Sequence, residues 1–436
     1  MPGLKRFVQH IINQDAINQN LKNGGRIFMD MRTKRFLKQK FREYYQTASI
    51  RLPADLPSRE WGFISFDQMP ETVMYRHKAF GAPGEIADYL KAMSPAHAYH
   101  SVACYRYPDA PSMKEKHWLG ADLIFDLDAD HLPDAPPSYA AMLALVKTEA
   151  LRLLDFLTDD FGFAEENITA VFSGGRGYHF HVTDPSVREL ESPQRREIVD
   201  YVAGRGIKVE SFYKKEMLVG DSGSGTRSFR DKTEVPARHV MKNPDVGWSR
   251  RINEYMVAYL AEEAGKGAKE RFAELKKIKG FGKKALSHVE KTAGDPELLE
   301  ELRRTGRLDL GPNISQELML EFIDSIIEEK RIHLLHPAQV DEPVTADIKR
   351  LIRLPGSLHG GSGMKVTVLG LDEIEGFDPL SDAVVFSEKP VTIKVMKPFG
   401  VQMKGMDMQV GEGVQELPEY AAIYLMCRGV AEYGSK

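Results

Sequence analysis

Residues 168–182 read ITAVFSGGRGYHFHV, and the fold is decided by how that stretch is divided. Apolar, β-branched and aromatic residues flank a Ser-Gly-Gly-Arg-Gly run, which predicts strand, glycine turn, strand. Gly174, Gly175 and Gly177 let the backbone approach an anion closely and expose its N–H groups. Arg176 can fork two hydrogen bonds to phosphate, and Ser173 and His179 add donors. No Gly-Lys-Ser/Thr follows, so this is not a Walker loop. A tight hairpin whose glycines serve turn geometry alone is the plainer alternative, and an arginine inside the turn favours phosphate. His181, on the same strand face as His179, reads as an ordinary strand histidine.

Upstream, residues 123–128 read LIFDLD. Residues two apart on a strand share a face, so Asp126 and Asp128 point together while Phe125 and Leu127 anchor the other side. Two such carboxylates converge on divalent ions, and hard oxygen donors suit Mg²⁺ or Mn²⁺. Asp-x-Asp is common, however, and fits solvated acids at a strand end equally well. Asp122 and Asp130 share the parity but fall at or beyond the strand ends. Downstream, residues 341–360 read DEPVTADIKRLIRLPGSLHG. Here Arg350, Arg353 and His359 offer cations and Asp341 another carboxylate. Taken together, the three segments hold the parts that two-metal phosphoryl transfer requires: carboxylates for ions and donors for a triphosphate.

The rest of the chain frames these segments. Residues 29–47 predict an amphipathic helix with Phe36, Leu37, Phe41, Tyr44 and Tyr45 on its apolar side. GFISF and TVMYRHKAF, between Trp61 and Phe80, are strand-like. Residues 138–161 read as a helix, DSGSGTRS (221–228) as a flexible loop, and 252–306 as helical. A β-rich pattern returns after Asp341, and LPEYAAIYLMCRGVAEY predicts a closing helix. The class is α/β in the broad sense (α+β), a catalytic body interrupted by a helical insertion. With 436 residues, 42% hydrophobic and 28% charged, two or three domains with full cores are expected.

Composition excludes several classes. Cys104 and Cys427 are the only cysteines, which rules out a disulfide framework and all but excludes a cysteine-built zinc site. The N-terminus is too polar for a signal peptide, and no stretch is apolar enough to span a membrane. A cytoplasmic protein is expected. The net charge of −4 gives no nucleic-acid footprint, but residues 266–284 carry eight basic residues against two acidic ones. Within them LKKIKGFGKKAL (275–286) resembles a helix-hairpin-helix turn, with Lys279, Lys283 and Lys284 offered to DNA phosphate. A basic, solvated helix pair is the equal alternative.

The ordered set SREWGF (58–63), YRHKAF (75–80), KHWLGADLIFDLDAD (116–130), FSGGRGYHFHV (172–182) and TADIKRLIRLPGSLHGGSG (345–363) resembles the small catalytic subunit of archaeal and eukaryotic DNA primases, most closely the archaeal form. The resemblance runs from about Met29 to the C-terminus, leaving 1–28 as an extension of open status. It implies a mixed-sheet archaeo-eukaryotic primase core over 29–205 and 320–436, with 206–319 a mainly helical insertion. It also implies that Asp126, Asp128 and Asp341 are catalytic metal ligands for Mg²⁺ or Mn²⁺, with Asp347 a lower-ranked competitor of Asp341. Ser173, Arg176, His179, Arg353 and His359 become triphosphate contacts, and Arg76 lies near the incoming nucleotide. The partners implied are single-stranded DNA template, NTPs or dNTPs, and a large subunit bearing an iron–sulfur cluster. Many members carry a zinc module after the paired aspartates. Here that interval is only DHLPDAPPS, so no structural zinc is expected. The competing functions are a repair polymerase of the same superfamily, a non-catalytic nucleic-acid-binding subunit and a metal-dependent phosphohydrolase.

Overall fold

The computed structural model of the chain describes residues 29–129, 136, 138–217, 237–267, 270–273, 275–278, 282–307, 318, 321–323 and 340–434. The strands in the first half are β1 (Arg59–Ile64), β2 (Met74–Lys78), β3 (His97–Tyr105), β4 (Trp118–Ala121), β5 (Leu123–Asp128), β6 (Ile168–Phe172) and β7 (Gly177–Val182). Then follow β8 (Tyr213–Met217), β9 (Ala237–Met241), β10 (Leu351–Arg353), β11 (Thr367–Leu369), β12 (Pro390–Val395), β13 (Phe399–Met403), β14 (Met406–Val410), β15 (Gly413–Pro418) and β16 (Ala431–Tyr433). The helices are α1 (Met31–Thr47), α2 (Pro83–Met93), α3 (Tyr139–Asp155), α4 (Ser192–Val202) and α5 (Gly247–Gly265), then α6 (Lys283–Ala293), α7 (Pro296–Thr305), α8 (Glu342–Ala346), α9 (Pro379–Asp382) and α10 (Glu419–Cys427).

Contacts divide the chain into two compact units. The first comprises the chain through Leu154, Phe163–Val199 and everything from Gln339 on; the second comprises Asp155–Gly162 and Asp200–Ala338. In the first unit one sheet runs β10-β3-β1-β2, with β4 also on β3, and another runs β11-β6-β7-β5. A third, β15-β12-β16, and the β13-β14 hairpin complete it. The α+β reading holds, and within it every strand pairing among the described residues is antiparallel.

One apolar cluster sews the two larger sheets together. Val102, Ala103 and Tyr105 of β3, Ala121 of β4, Ile124 of β5, Val344 of α8 and Ile352 of β10 pack as one core. Its consequence is positional: α8 and β10, more than 200 residues downstream, are pinned beside β5. Just ahead of α1, the Asp30 carboxylate accepts from the Thr33 N–H at 2.7 Å and caps the helix. That helix buries Leu37, Phe41 and Tyr45 at four-residue spacing.

Two helix boundaries differ from the sequence reading. The helix expected over 138–161 is α-helical only to Asp155 and ends in a π-turn, Phe156–Asp160. The closing helix stops at Cys427, because Gly429 takes φ 68° and turns the chain back so that β16 can pair with β12. DSGSGTRS lies outside the described residues.

Among its described residues the second unit contains α5–α7, the β8–β9 hairpin and the π-turn Phe156–Asp160. Arg251 lies over the Phe156 ring, its guanidinium carbon 3.6 Å from the centroid, and pairs with Asp155 and Asp160. Among the described residues no helix is long and apolar enough to cross a membrane.

Candidate active site

The strand carrying LIFDLD follows the period-two reading at its end. Phe125 and Leu127 are fully buried, whereas Asp126 and Asp128 are half-buried on the opposite face. β5 runs against β7 so that Asp126 faces His179 and Asp128 faces Gly177. His179 Nε2 stands 3.4 Å from Asp126 Oδ1, and Arg176 Nε stands 3.7 Å from Asp128 Oδ1. Gly177 is forced by this ladder: a Cβ there would lie 2.0 Å from the Leu127 carbonyl oxygen.

Burial of Val344 and Ala346 fixes α8, and Asp341, at its N-terminal boundary, donates its backbone N–H to the Asp126 carbonyl at 2.9 Å. Asp341 thereby joins the field on Asp126. Burial, then the Asp128 charge, push the Asp126 carboxyl up to about 7; Arg350 counteracts and Asp341 adds to the rise. Asp347, the competitor, instead accepts from the Lys349 N–H at 2.9 Å.

The glycine turn is built largely on itself. Ser173 Oγ accepts from the N–H groups of Gly175 and Gly177 at 3.3 Å each, leaving its O–H to donate. The loop carrying His359 packs directly on this turn. Gly174 has φ 74°, and a Cβ there would sit 2.8 Å from the His359 Cβ. Ser362 Oγ donates to the Gly174 carbonyl and the Tyr139 hydroxyl to that of Gly175, each at 2.5 Å. Arg428 lies over the Tyr139 and Tyr424 rings at 4.9 and 5.2 Å.

Arg353, opposite Tyr99 in the β10–β3 ladder, donates to His97 Nδ1 at 2.7 Å and lies 5.2 Å over the Tyr99 ring. His97 also accepts from the Gly360 N–H at 3.3 Å, so its ring proton is assigned to Nε2. His359 is held the same way: its Nδ1 accepts from the Gly361 N–H at 3.2 Å. Its rings and those of His97 meet edge-on, centroids 4.9 Å apart. Burial, followed by the Arg353 charge, holds His179 down to about 3 and puts His359 and His97 well below the usual imidazole range. The histidines of this face are therefore neutral N–H donors and acceptors near pH 7, and its cations are Arg176, Arg350 and Arg353.

The structure thus brings Asp126, Asp128, Asp341, Ser173, Arg176, His179, Arg353 and His359 onto elements that touch. Arg76 belongs to a different setting in the same unit. Its guanidinium grips the fully buried Glu60 carboxylate through two bonds of 3.0 and 3.1 Å, and Lys116 approaches the same carboxylate at 3.7 Å. Asp122 is buried and paired with Arg59 at 2.7 Å, a structural role that agrees with leaving it out of the site. His181 is buried, held down to about 3 by burial and then by His179. Lys283 and Lys284 open α6 in the second unit; Lys279, Asp130 and most of the DHLPDAPPS interval lie outside the described residues. Sequence reasoning missed His97, Tyr99, Tyr139 and Arg428, which stand outside the motifs, and Ser362, whose motif does not announce its partner.

The electrostatics of the donor set suit a divalent ion. Burial, then the Asp128 charge, destabilises the ionised Asp126 carboxylate, the condition that a bound cation relieves. Among the described residues, no three carboxylate, imidazole or thiol groups already stand at coordinating spacing. The residue types and their field fit Mg²⁺ or Mn²⁺, and ligation would draw the carboxylates closer.

Comparison with known proteins adds an independent line. The family described as DNA primase small subunit matches residues 125–370, more than half of the chain. DNA primase small subunit PriS of Methanococcoides burtonii is 55% identical over 408 residues, covering 93% of this chain and 100% of the relative. The protein of the same name from Methanosarcina acetivorans is 53% identical over 411 residues (94% and 98%). That of Halobacterium salinarum is 39% identical over 409 residues (93% and 99%).

Proposed function

This chain belongs to the DNA primase small-subunit family, the catalytic subunit of that enzyme, and from that premise we propose that it starts and extends short primers on single-stranded DNA by two-metal nucleotidyl transfer. The observation that carries the reading is the β5–β7 ladder, which sets an Asp-x-Asp face against a glycine turn bearing Arg176, with Asp341 hydrogen-bonded to the same strand.

Asp126, Asp128 and Asp341 would hold Mg²⁺ or Mn²⁺, which when bound favours the deprotonated form of the attacking 3′-hydroxyl and offsets charge on the departing pyrophosphate. Arg176, kept near Asp128, and Arg353, kept in place by His97 and Tyr99, supply positive charge to the triphosphate of an NTP or dNTP. The Ser173 hydroxyl and the neutral imidazoles of His179 and His359 add hydrogen bonds, not charge. Holding the triphosphate along this face aligns the reacting phosphorus with the 3′-oxygen, which is the larger part of phosphoryl-transfer catalysis. We assign 29–205 and 320–436 to the catalytic core and 206–319 to a mainly helical insertion; a second compact unit over Asp200–Ala338, with Asp155–Gly162, supports an inserted unit, with wider bounds than these. Arg76 is assigned a nucleotide-side role through its fixed position on Glu60, and Lys279, Lys283 and Lys284 a weak hold on template phosphates. By relationship, the chain would work beside a primase large subunit.

The test is synthesis on unprimed single-stranded DNA with labelled nucleotides and Mg²⁺ or Mn²⁺, comparing wild type with Asp126→Ala/Asp128→Ala. Oligonucleotides from wild type alone support the proposal. Extension only of supplied primers, even with the large subunit added, would move the protein to the end-extending repair class.

A further inference from the structure

The second unit contains a cavity of about 540 Å³, within the range of small-ligand sites, that the primase chemistry leaves unused. Tyr201, Phe212 and Trp248 line it, together with the exposed Arg205 and Lys208. Two of these rings, Tyr201 and Trp248, are held in place. The Trp248 ring N–H donates to the Tyr201 carbonyl at 2.9 Å, and the Tyr201 hydroxyl donates to Asp160 at 3.1 Å. Gly247, at φ 52°, makes room for that hydroxyl, since a Cβ would come within 2.6 Å of it. Phe161 backs the Tyr201 ring at 5.3 Å.

The charge in the cavity favours an anion. Asp160 is the acidic residue of the lining, but its buried carboxylate is matched by Arg250 at 3.4 Å and by Arg251 at 3.0 and 3.2 Å. Arg205 carries an exposed pairing with Asp200 at 3.1 Å, which solvent screens. Lys242 adds a further positive charge beside the mouth, where it donates to the Ser211 carbonyl. Flat rings inside and cations outside are complementary to a planar base joined to a phosphate.

We propose that this cavity takes one nucleotide unit, its base against Tyr201 and Phe212 and its phosphate at Lys208 and Arg205. The unit comes either from a single DNA strand or from a free nucleoside triphosphate. The proposal concerns the second unit alone and does not rest on the catalytic assignment.

The experiment measures equilibrium binding by the full chain of two probes, a fluorescein-labelled oligo(dT) and a fluorescent ATP analogue, for wild type, Phe212→Ala, Phe212→Trp and Lys208→Glu. Loss of one base–aromatic stack weakens binding about fivefold or more, so Phe212→Ala should do so for one probe while Phe212→Trp retains affinity. Lys208→Glu, at an exposed position that folding tolerates, should weaken the same probe. For the oligonucleotide it should also lower the log–log salt slope by about 0.7 or more. Loss confined to the oligonucleotide assigns the cavity to the strand. Loss of one of two ATP-analogue sites assigns it to free nucleotide. Unchanged affinity for both probes and an unchanged salt slope in Phe212→Ala and Lys208→Glu, with native near-UV circular dichroism, would overturn the proposal. Primer synthesis by wild type, and its loss in Asp126→Ala, is read separately and is untouched by this result.

Discussion

Asp126→Asn should stabilise the metal-free protein while removing its activity. The Asp126 carboxyl titrates near 7 instead of 3.8, chiefly through burial and the Asp128 charge. Each pKa step of one is worth about 1.4 kcal/mol, so the ionised carboxylate opposes folding by a ceiling of about 4 kcal/mol. Its side chain is 17% exposed, and water and counter-ions reduce that to roughly 2–3 kcal/mol. The sign follows from proton linkage. Below pH 3.8 the carboxyl is protonated in both folded and unfolded chains and costs nothing. As pH rises towards 7 the unfolded chain loses its proton first, and stability falls; above 7 the penalty is fully present. Asparagine keeps the shape without the charge. Urea unfolding in a chelator should therefore show the variant more stable by about 2–3 kcal/mol at pH 8, with the gap closing towards pH 4. Mn²⁺ should then stabilise wild type far more than the variant. A variant no more stable than wild type at pH 8, or a gap that does not vary with pH, would refute the reasoning.

Wild-type affinity for Mn²⁺ should fall below pH 7, by up to about tenfold per pH step, because the ion must displace the Asp126 proton; titration calorimetry across pH 5.5–8 checks this. Arg353→Ala should raise KM for nucleotide by about tenfold or more, the usual worth of a charge-assisted hydrogen bond, with a smaller change in kcat. Gly177→Ala, which drives a Cβ to 2.0 Å from the Leu127 carbonyl oxygen, should cost about 3 kcal/mol or more in urea unfolding and disrupt the β5–β7 register. Lys279→Glu/Lys283→Glu/Lys284→Glu should lower template affinity and flatten its salt dependence in anisotropy titrations, whereas unchanged binding removes these lysines from the interface.

Local pattern made the first half of the site legible. Period two placed Phe125 and Leu127 inside and Asp126 and Asp128 opposite them, and the glycines of 174–177 announced the turn. What could not be read lies in register and burial. Arg353 is seated by His97 and Tyr99, about 250 residues away, because β10 happens to pair with β3 at that register. His359 looks like a cation in the sequence, yet burial and the Arg353 charge keep it neutral. Arg76 reads as a cation near the incoming nucleotide, and nothing local announces that the buried Glu60 carboxylate on the neighbouring strand holds its Nε and Nη2. The closing helix ends before its apolar pattern does, because Gly429 in a left-handed turn outweighs the helical propensity of the residues around it.

The central claim, that Asp126, Asp128 and Asp341 together form the metal site for nucleotide, is tested most directly by anomalous diffraction from crystals holding Mn²⁺ and a non-hydrolysable nucleoside triphosphate. Manganese peaks bridging those three carboxylates, with the triphosphate against Arg176 and the Ser173–Gly177 turn, are the predicted result. Manganese and triphosphate bound together at another site, with the three carboxylates bare, would contradict it.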